Sequence, residues 1–113
     1  MSRPKTLLED LCEHVVSCGA RCIEVEYKDG REWVYARQGQ AGFGVANFAS
    51  SSRDARELRE NLYAAAKKPI KMAAGGRVWT LKVEVNDSFG EDSFRVLIDP
   101  APRLDPSTPP SFH

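Results

Sequence analysis

Cys12, His14, Cys18 and Cys22 fall within one short stretch, and thiolate and imidazole are the side chains that hold zinc. Zinc needs four such donors converging on a tetrahedron, usually from tight turns of the Cys-x2-Cys kind. A helix through this stretch separates them. Cys12 and Cys18 are then some ~240° apart around the axis, and His14 points elsewhere. Cys12 falls on the apolar stripe, where a free thiol packs as a small hydrophobe. His14 is expected as an exposed residue, favoured there by the helix C-terminal dipole and by Asp10 one turn earlier. These residues predict packing rather than a metal centre, and no residue set in the chain calls for a cofactor.

Glu24, Glu26 and Glu32 are expected together on the uncovered face of a sheet. Paired carboxylates do acid–base work only where burial or proximity separates their pKa values. On a strand face they are solvated, with Lys71, Lys82 and Arg95 available to neutralise them across strands. Nucleophilic catalysis lacks parts, because a Ser or Cys nucleophile needs a base in reach and the two histidines are His14 and the terminal His113. Gly39-x-x-Gly42-x-Gly44 has the look of a phosphate-cradling loop, but those loops lead straight into a helix N-terminus. Here a strand-like Phe43–Phe48 follows, so a hairpin or loop is expected. Trp33, Tyr35 and Trp79 are expected as core aromatics; a small aromatic-lined pocket for a ligand or for catalysis is the alternative.

Charge is balanced overall, with sixteen basic and sixteen acidic residues, so no global field draws the chain to nucleic acid or membrane. Its distribution is uneven: residues 51–85 hold eight Lys/Arg and four Asp/Glu. Nucleic-acid binding through the basic segment 53–77 is an alternative function, with Arg53, Arg56, Arg59, Lys67, Lys68, Lys71 and Arg77 as the candidate phosphate contacts, which would need to share one face. Asp54, Glu57 and Glu60 interrupt them. The αβββα order expected for residues 7–67 resembles the layout of double-stranded-RNA-binding domains, whose second helix opens on a basic cluster. Ser51-Ser52-Arg53-Asp54-Ala55-Arg56-Glu57 does not match that cluster, so the layout alone implies no family. Pro106-Ser107-Thr108-Pro109 has the minimal PxxP spacing read by aromatic grooves, a pattern frequent by chance.

The elements that must position these residues are legible from periodicity. Thr6-Leu7-Leu8-Glu9 is a capping box, and Leu8, Leu11, Cys12 and Val15 form the stripe of a helix near 7–18, stopped at Gly19. Ile23, Val25 and Tyr27 alternate with Glu24 and Glu26 as a half-buried strand, returning through Lys28-Asp29-Gly30 to Glu32–Arg37. A two-residue turn pairs Val25 with Val34; a three-residue turn bulged at Gly30 pairs Val25 with Trp33. The bulged register collects Ile23, Val25, Trp33 and Tyr35 on one face and the glutamates on the other, and that cleaner separation is the expectation. A strand at 43–48 and a helix near 52–67, with stripe Ala55, Leu58, Leu62, Ala65 and Ala66, come next, ended by Pro69. Ile70–Met72, a Gly75-Gly76 hairpin setting Met72 opposite Trp79, a strand through Val85, a loop at 86–92 and a strand at 94–98 complete the body.

This order predicts an α+β two-layer sandwich, α-βββ-α-βββ, with two helices on one face of a mainly antiparallel six-strand sheet. Residues 1–99 are expected as a single domain and 100–113, with five prolines, as an extended or disordered tail. There is no run of eighteen apolar residues and no leader-like stretch after Met1, so a reduced, cytoplasmic setting is expected. No motif names an activity. The favoured expectation is a small non-catalytic interaction or accessory domain, partnered by a second copy or another protein across the open sheet face. Val34, Ala36, Val78 and Leu97 are its candidate contact residues on that otherwise polar face.

Overall fold

The computed structural model describes residues 5–88 and 91–101. The helix α1 (Leu7–Ser17) begins on the expected capping box: Thr6 accepts from the Glu9 amide and Glu9 reaches back to the Thr6 amide. The next two orphan amides are capped from far away in sequence. Leu7 N donates to Glu57 at 3.2 Å and Leu8 N to Asn61 Oδ1 at 3.2 Å, both on α2 (Arg53–Lys67). Ser52 caps α2 through the Ala55 amide. The two helices therefore share one polar seam as well as the apolar core beneath them.

Six strands follow the expected order: β1 (Cys22–Lys28), β2 (Arg31–Gln38), β3 (Ala41–Ala49), then after α2 β4 (Ile70–Ala74), β5 (Arg77–Ser88) and β6 (Glu91–Pro100). They form one antiparallel sheet ordered β3-β2-β1-β6-β5-β4. The Gly75-Gly76 hairpin sets Met72 opposite Trp79 and Ile70 opposite Leu81, as expected. β5 and β6 run further than expected and take up most of the 86–92 segment. β6 ends at Pro100, and the Ala101 amide donates to Val78 O. The tail from 102 onward lies outside the described residues.

The two αβββ units are not copies in space. A two-fold normal to the sheet would reverse both strand order and strand direction, and a translation would reverse neither. Here the order within each trio is kept while the direction is reversed, and both helices pack on the same side.

The register of the first hairpin differs from expectation. Lys28 pairs with Arg31 across a two-residue turn, with Asp29 at φ 53° and Gly30 at φ 75°. Two successive positive φ values define the tight turn whose twist matches antiparallel strands, and Asp-Gly supplies them. Val25 therefore pairs with Val34, and every side chain of β2 changes face relative to the bulged register. Val34 and Ala36 lie in the core at 0% exposure, while Trp33 and Tyr35 stand half-buried on the open face beside Glu26 and Glu24. The irregularity sits instead between β2 and β3, where Tyr35 faces Gly44 and Val34 faces Ala46.

The core lies between the sheet and the helices. Leu8, Cys12 and Val15 from α1 and Leu58, Leu62 and Ala65 from α2 pack on Ile23, Val25, Val34, Met72, Trp79, Leu81, Phe94, Val96 and Ile98. Among the described residues no helix is long and apolar enough to cross a membrane.

Candidate functional site

Glu32 is the residue that the corrected register moves furthest in chemical terms. It lies on the helix side, opposite Tyr27, and is only 3% exposed. A carboxylate taken from water needs partners, and removing one costs several kcal/mol when the charge stays behind. Its partners come from the turn after β3 and from α2. Ser50 Oγ donates to Glu32 Oε2 at 3.1 Å and Arg59 Nη1 lies 3.2 Å from the same oxygen. Arg59 Nη2 donates to the Ser50 carbonyl at 3.2 Å. Both ends of the Arg59 guanidinium are thus committed.

Beside this pair opens a cleft of about 320 Å³, lined by Tyr27, Glu32, Ser50, Arg59, Tyr63, Glu91, Asp92 and Phe94. The Tyr63 hydroxyl donates to Asp92, which pushes the phenol up from its ordinary pKa and keeps it a neutral donor. Its ring meets Phe94 edge-on, with centroids 5.1 Å apart and planes at 81°. Three aromatic rings and three carboxylates line the cleft, with the Arg59 guanidinium among them. The cleft is not legible in the sequence because its residues come from four separate elements, β1, β2, α2 and β6, and from the turn after β3. The Tyr27–Glu32 register was the signal that would have started it.

Of the three expected core aromatics only Trp79 is in the core, and the alternative, a pocket lined by all three, does not form. Trp33 and Tyr35 lie on the open face, whereas Trp79 is buried on the helix face with Nε1 donating to the Ala74 carbonyl at 3.0 Å. Arg21 and Arg77 flank the Trp79 ring, at 5.2 and 5.5 Å from its centroid.

The seven basic candidates do not converge either. Arg53 and Arg56 are exposed on α2, Lys67 and Lys68 stand at its C-terminal end, and Arg59 is locked to Glu32. Lys71 lies opposite Thr80 on the open face, and Arg77 lies against Trp79. Cys12 is buried in the core, and Cys18 Sγ lies 3.9 Å from His14 Nε2 on the exposed side of α1. Among the described residues no group of three or more His, Cys, Asp or Glu side chains is placed to hold a metal ion.

Of the four candidate contact residues, Val78 and Leu97 stand on the open face, whereas Val34 and Ala36 do not. That face is ruled into cross-strand rows. Glu24 lies between Tyr35 and Arg95, and Arg95 faces Glu84 in turn. Arg95 Nη2 bonds Glu24 at 3.1 Å, and Arg37 lies 3.8 Å from its other oxygen. The middle of the face is thus charge-neutralised. The β2–β3 end is different: Trp33 is flanked by Asn47 and Tyr35 by Gly44, and a Cβ built on Gly44 meets nothing within 4 Å.

β3 itself is an edge strand of nine residues, Ala41-Gly-Phe-Gly-Val-Ala-Asn-Phe-Ala49, without a charge or a proline. Phe43 on it is 37% exposed. The opposite edge, β4, is five residues long, follows Pro69 and carries Lys71, the usual protections of an exposed edge. No protein-family model matches this chain, and no curated protein matches it.

Proposed function

We propose that this chain is a self-associating interaction domain that docks a second copy of itself through strand β3 and the adjoining Trp33–Tyr35 end of the open face. The observation that carries the reading is the unprotected edge of β3. An edge strand turns half its amides and carbonyls away from its neighbour, and a charge-free strand invites another strand to pair with them. A second copy suits the edge better than a charged partner does. With sixteen basic and sixteen acidic residues the chain has no net charge to hold its copies apart. Antiparallel pairing about a two-fold axis between Val45 and Ala46 sets Phe43 opposite Phe48 of the second copy. Both lie on the helix side, facing Ala36 and Glu32 of β2.

Light scattering over a range of concentrations tests this. The expected mass is two chains, falling to one in Gly44→Glu, which the open space beside Gly44 accommodates and which places like charges near the axis. The dissociation constant should rise about tenfold or more. A mass of one chain at the highest attainable concentration overturns the proposal.

A further inference from the structure

The cleft beside Glu32 lies on the helix side of the sheet, and none of its lining residues belongs to β3 or is Trp33 or Tyr35. Three carboxylates line it, Glu32, Glu91 and Asp92, against the single guanidinium of Arg59. Arg59 already spends one terminal nitrogen on Glu32 and the other on the Ser50 carbonyl, so an anion entering the cleft meets negative charge and no uncommitted cation there. Both hydrogen-bonding contacts that described residues make with the Glu32 carboxylate fall on Oε2, which leaves Oε1 of a nearly buried carboxylate for an incoming donor.

The aromatic lining is equally specific. Tyr27 and Tyr63 are 39% and 41% exposed, so both rings are open to an incoming group. Phe94 and Asp92 hold the Tyr63 ring and hydroxyl in place. Aromatic faces next to carboxylates are the surroundings in which a desolvated organic cation is bound, through the ring quadrupole on one side and ion pairing on the other. At about 320 Å³ the space is at the small end of the range for ligand clefts and has room for an alkylammonium or guanidinium group.

We propose that this cleft binds an organic cation, a primary ammonium or guanidinium group, seated against Tyr27 and Tyr63 with Glu91 and Asp92 as its counter-charges. The cation comes either from a free small amine or from a lysine or arginine side chain presented by a peptide. The chemistry of the seat is the same for both.

The test is an amide chemical-shift titration of the full chain with butylamine, N-acetyl-lysine amide and a lysine-containing tripeptide, with acetate and methyl glucoside as anionic and neutral controls. The cations should shift the amides of Tyr27, Glu32, Ser50, Tyr63 and Asp92, and the controls should leave them in place. Tyr27→Ala and Glu91→Gln alter exposed side chains, so they spare the fold, and each should weaken cation binding about fivefold. Tighter binding of the tripeptide than of butylamine supports a peptide source, and equal binding supports a free amine. Equal response to methyl glucoside, or no response to any cation at millimolar concentrations, overturns the proposal.

Discussion

Glu32 and Cys12 are both buried on the helix side of the sheet, in different surroundings. Glu32 lies under α2, where Ser50 and Arg59 meet its carboxylate. Cys12 meets no such partner among the described residues. Burial, with the Glu9 carboxylate adding to it, pushes its thiol up to about 12 from an ordinary value of 9.0. The sign of the consequence is fixed by linkage. Above about pH 9 the unfolded chain loses this proton while the folded chain keeps it, so the unfolded state gains and stability falls. Up to about 1.4 kcal/mol is lost per pH unit until the folded thiol itself ionises. Well below pH 9 the thiol is protonated in both states and adds no slope. Urea unfolding at about pH 8 and about pH 10.5 should show this loss in the native chain and a shallower one in Cys12→Val. Exposed Cys18 should take up a maleimide while Cys12 does so only in denaturant.

At the scale of elements, the two helices depend on each other's polar groups. Thr6 and Glu9 are a local cap, readable from their spacing alone. Glu57 and Asn61 cap the same helix end from α2, and they do so only because the pair packs side by side. Asn61→Ala should therefore cost about 1 kcal/mol, comparable to Thr6→Ala, although Asn61 lies on another helix. Matched urea midpoints of the two variants would show it; an unchanged midpoint for Asn61→Ala would mean the seam is solvated. The first hairpin teaches the complementary lesson. Separation of apolar from acidic residues favoured a bulge at Gly30, but Asp29-Gly30 is already a complete two-residue turn. The charge it turns inward at Glu32 is met by Arg59, twenty-seven positions later.

Across the whole molecule, the chain leaves β3 at one edge, crosses the sheet through α2, and restarts at the opposite edge as β4. The last strand, β6, then closes against the first, β1. These two strands are paired on both sides and carry Ile23, Val25, Phe94, Val96 and Ile98 under the helices. Their amides should be the slowest to exchange with deuterium and β4 the fastest of the strands. Protection of β3 should rise with protein concentration if copies pair along it. Protection of β3 that is the same at micromolar and millimolar concentrations would argue that its edge stays in water.

The element order, the helix boundaries and the second hairpin were legible from sequence because they rest on local rules: capping spacing, apolar period and turn residues. Ile70 opposite Leu81 follows from Gly75-Gly76 alone. Strand order, the face taken by each residue of β2 and the cleft beside Glu32 were decided by tertiary structure. They depend on which distant side chain compensates a buried charge and on which edges a crossing helix connects. Ser50 and Arg59 become partners of Glu32 only when β3 and α2 have been laid over the first hairpin. No spacing along the chain encodes that meeting, because it is the helix packing that brings the charges together.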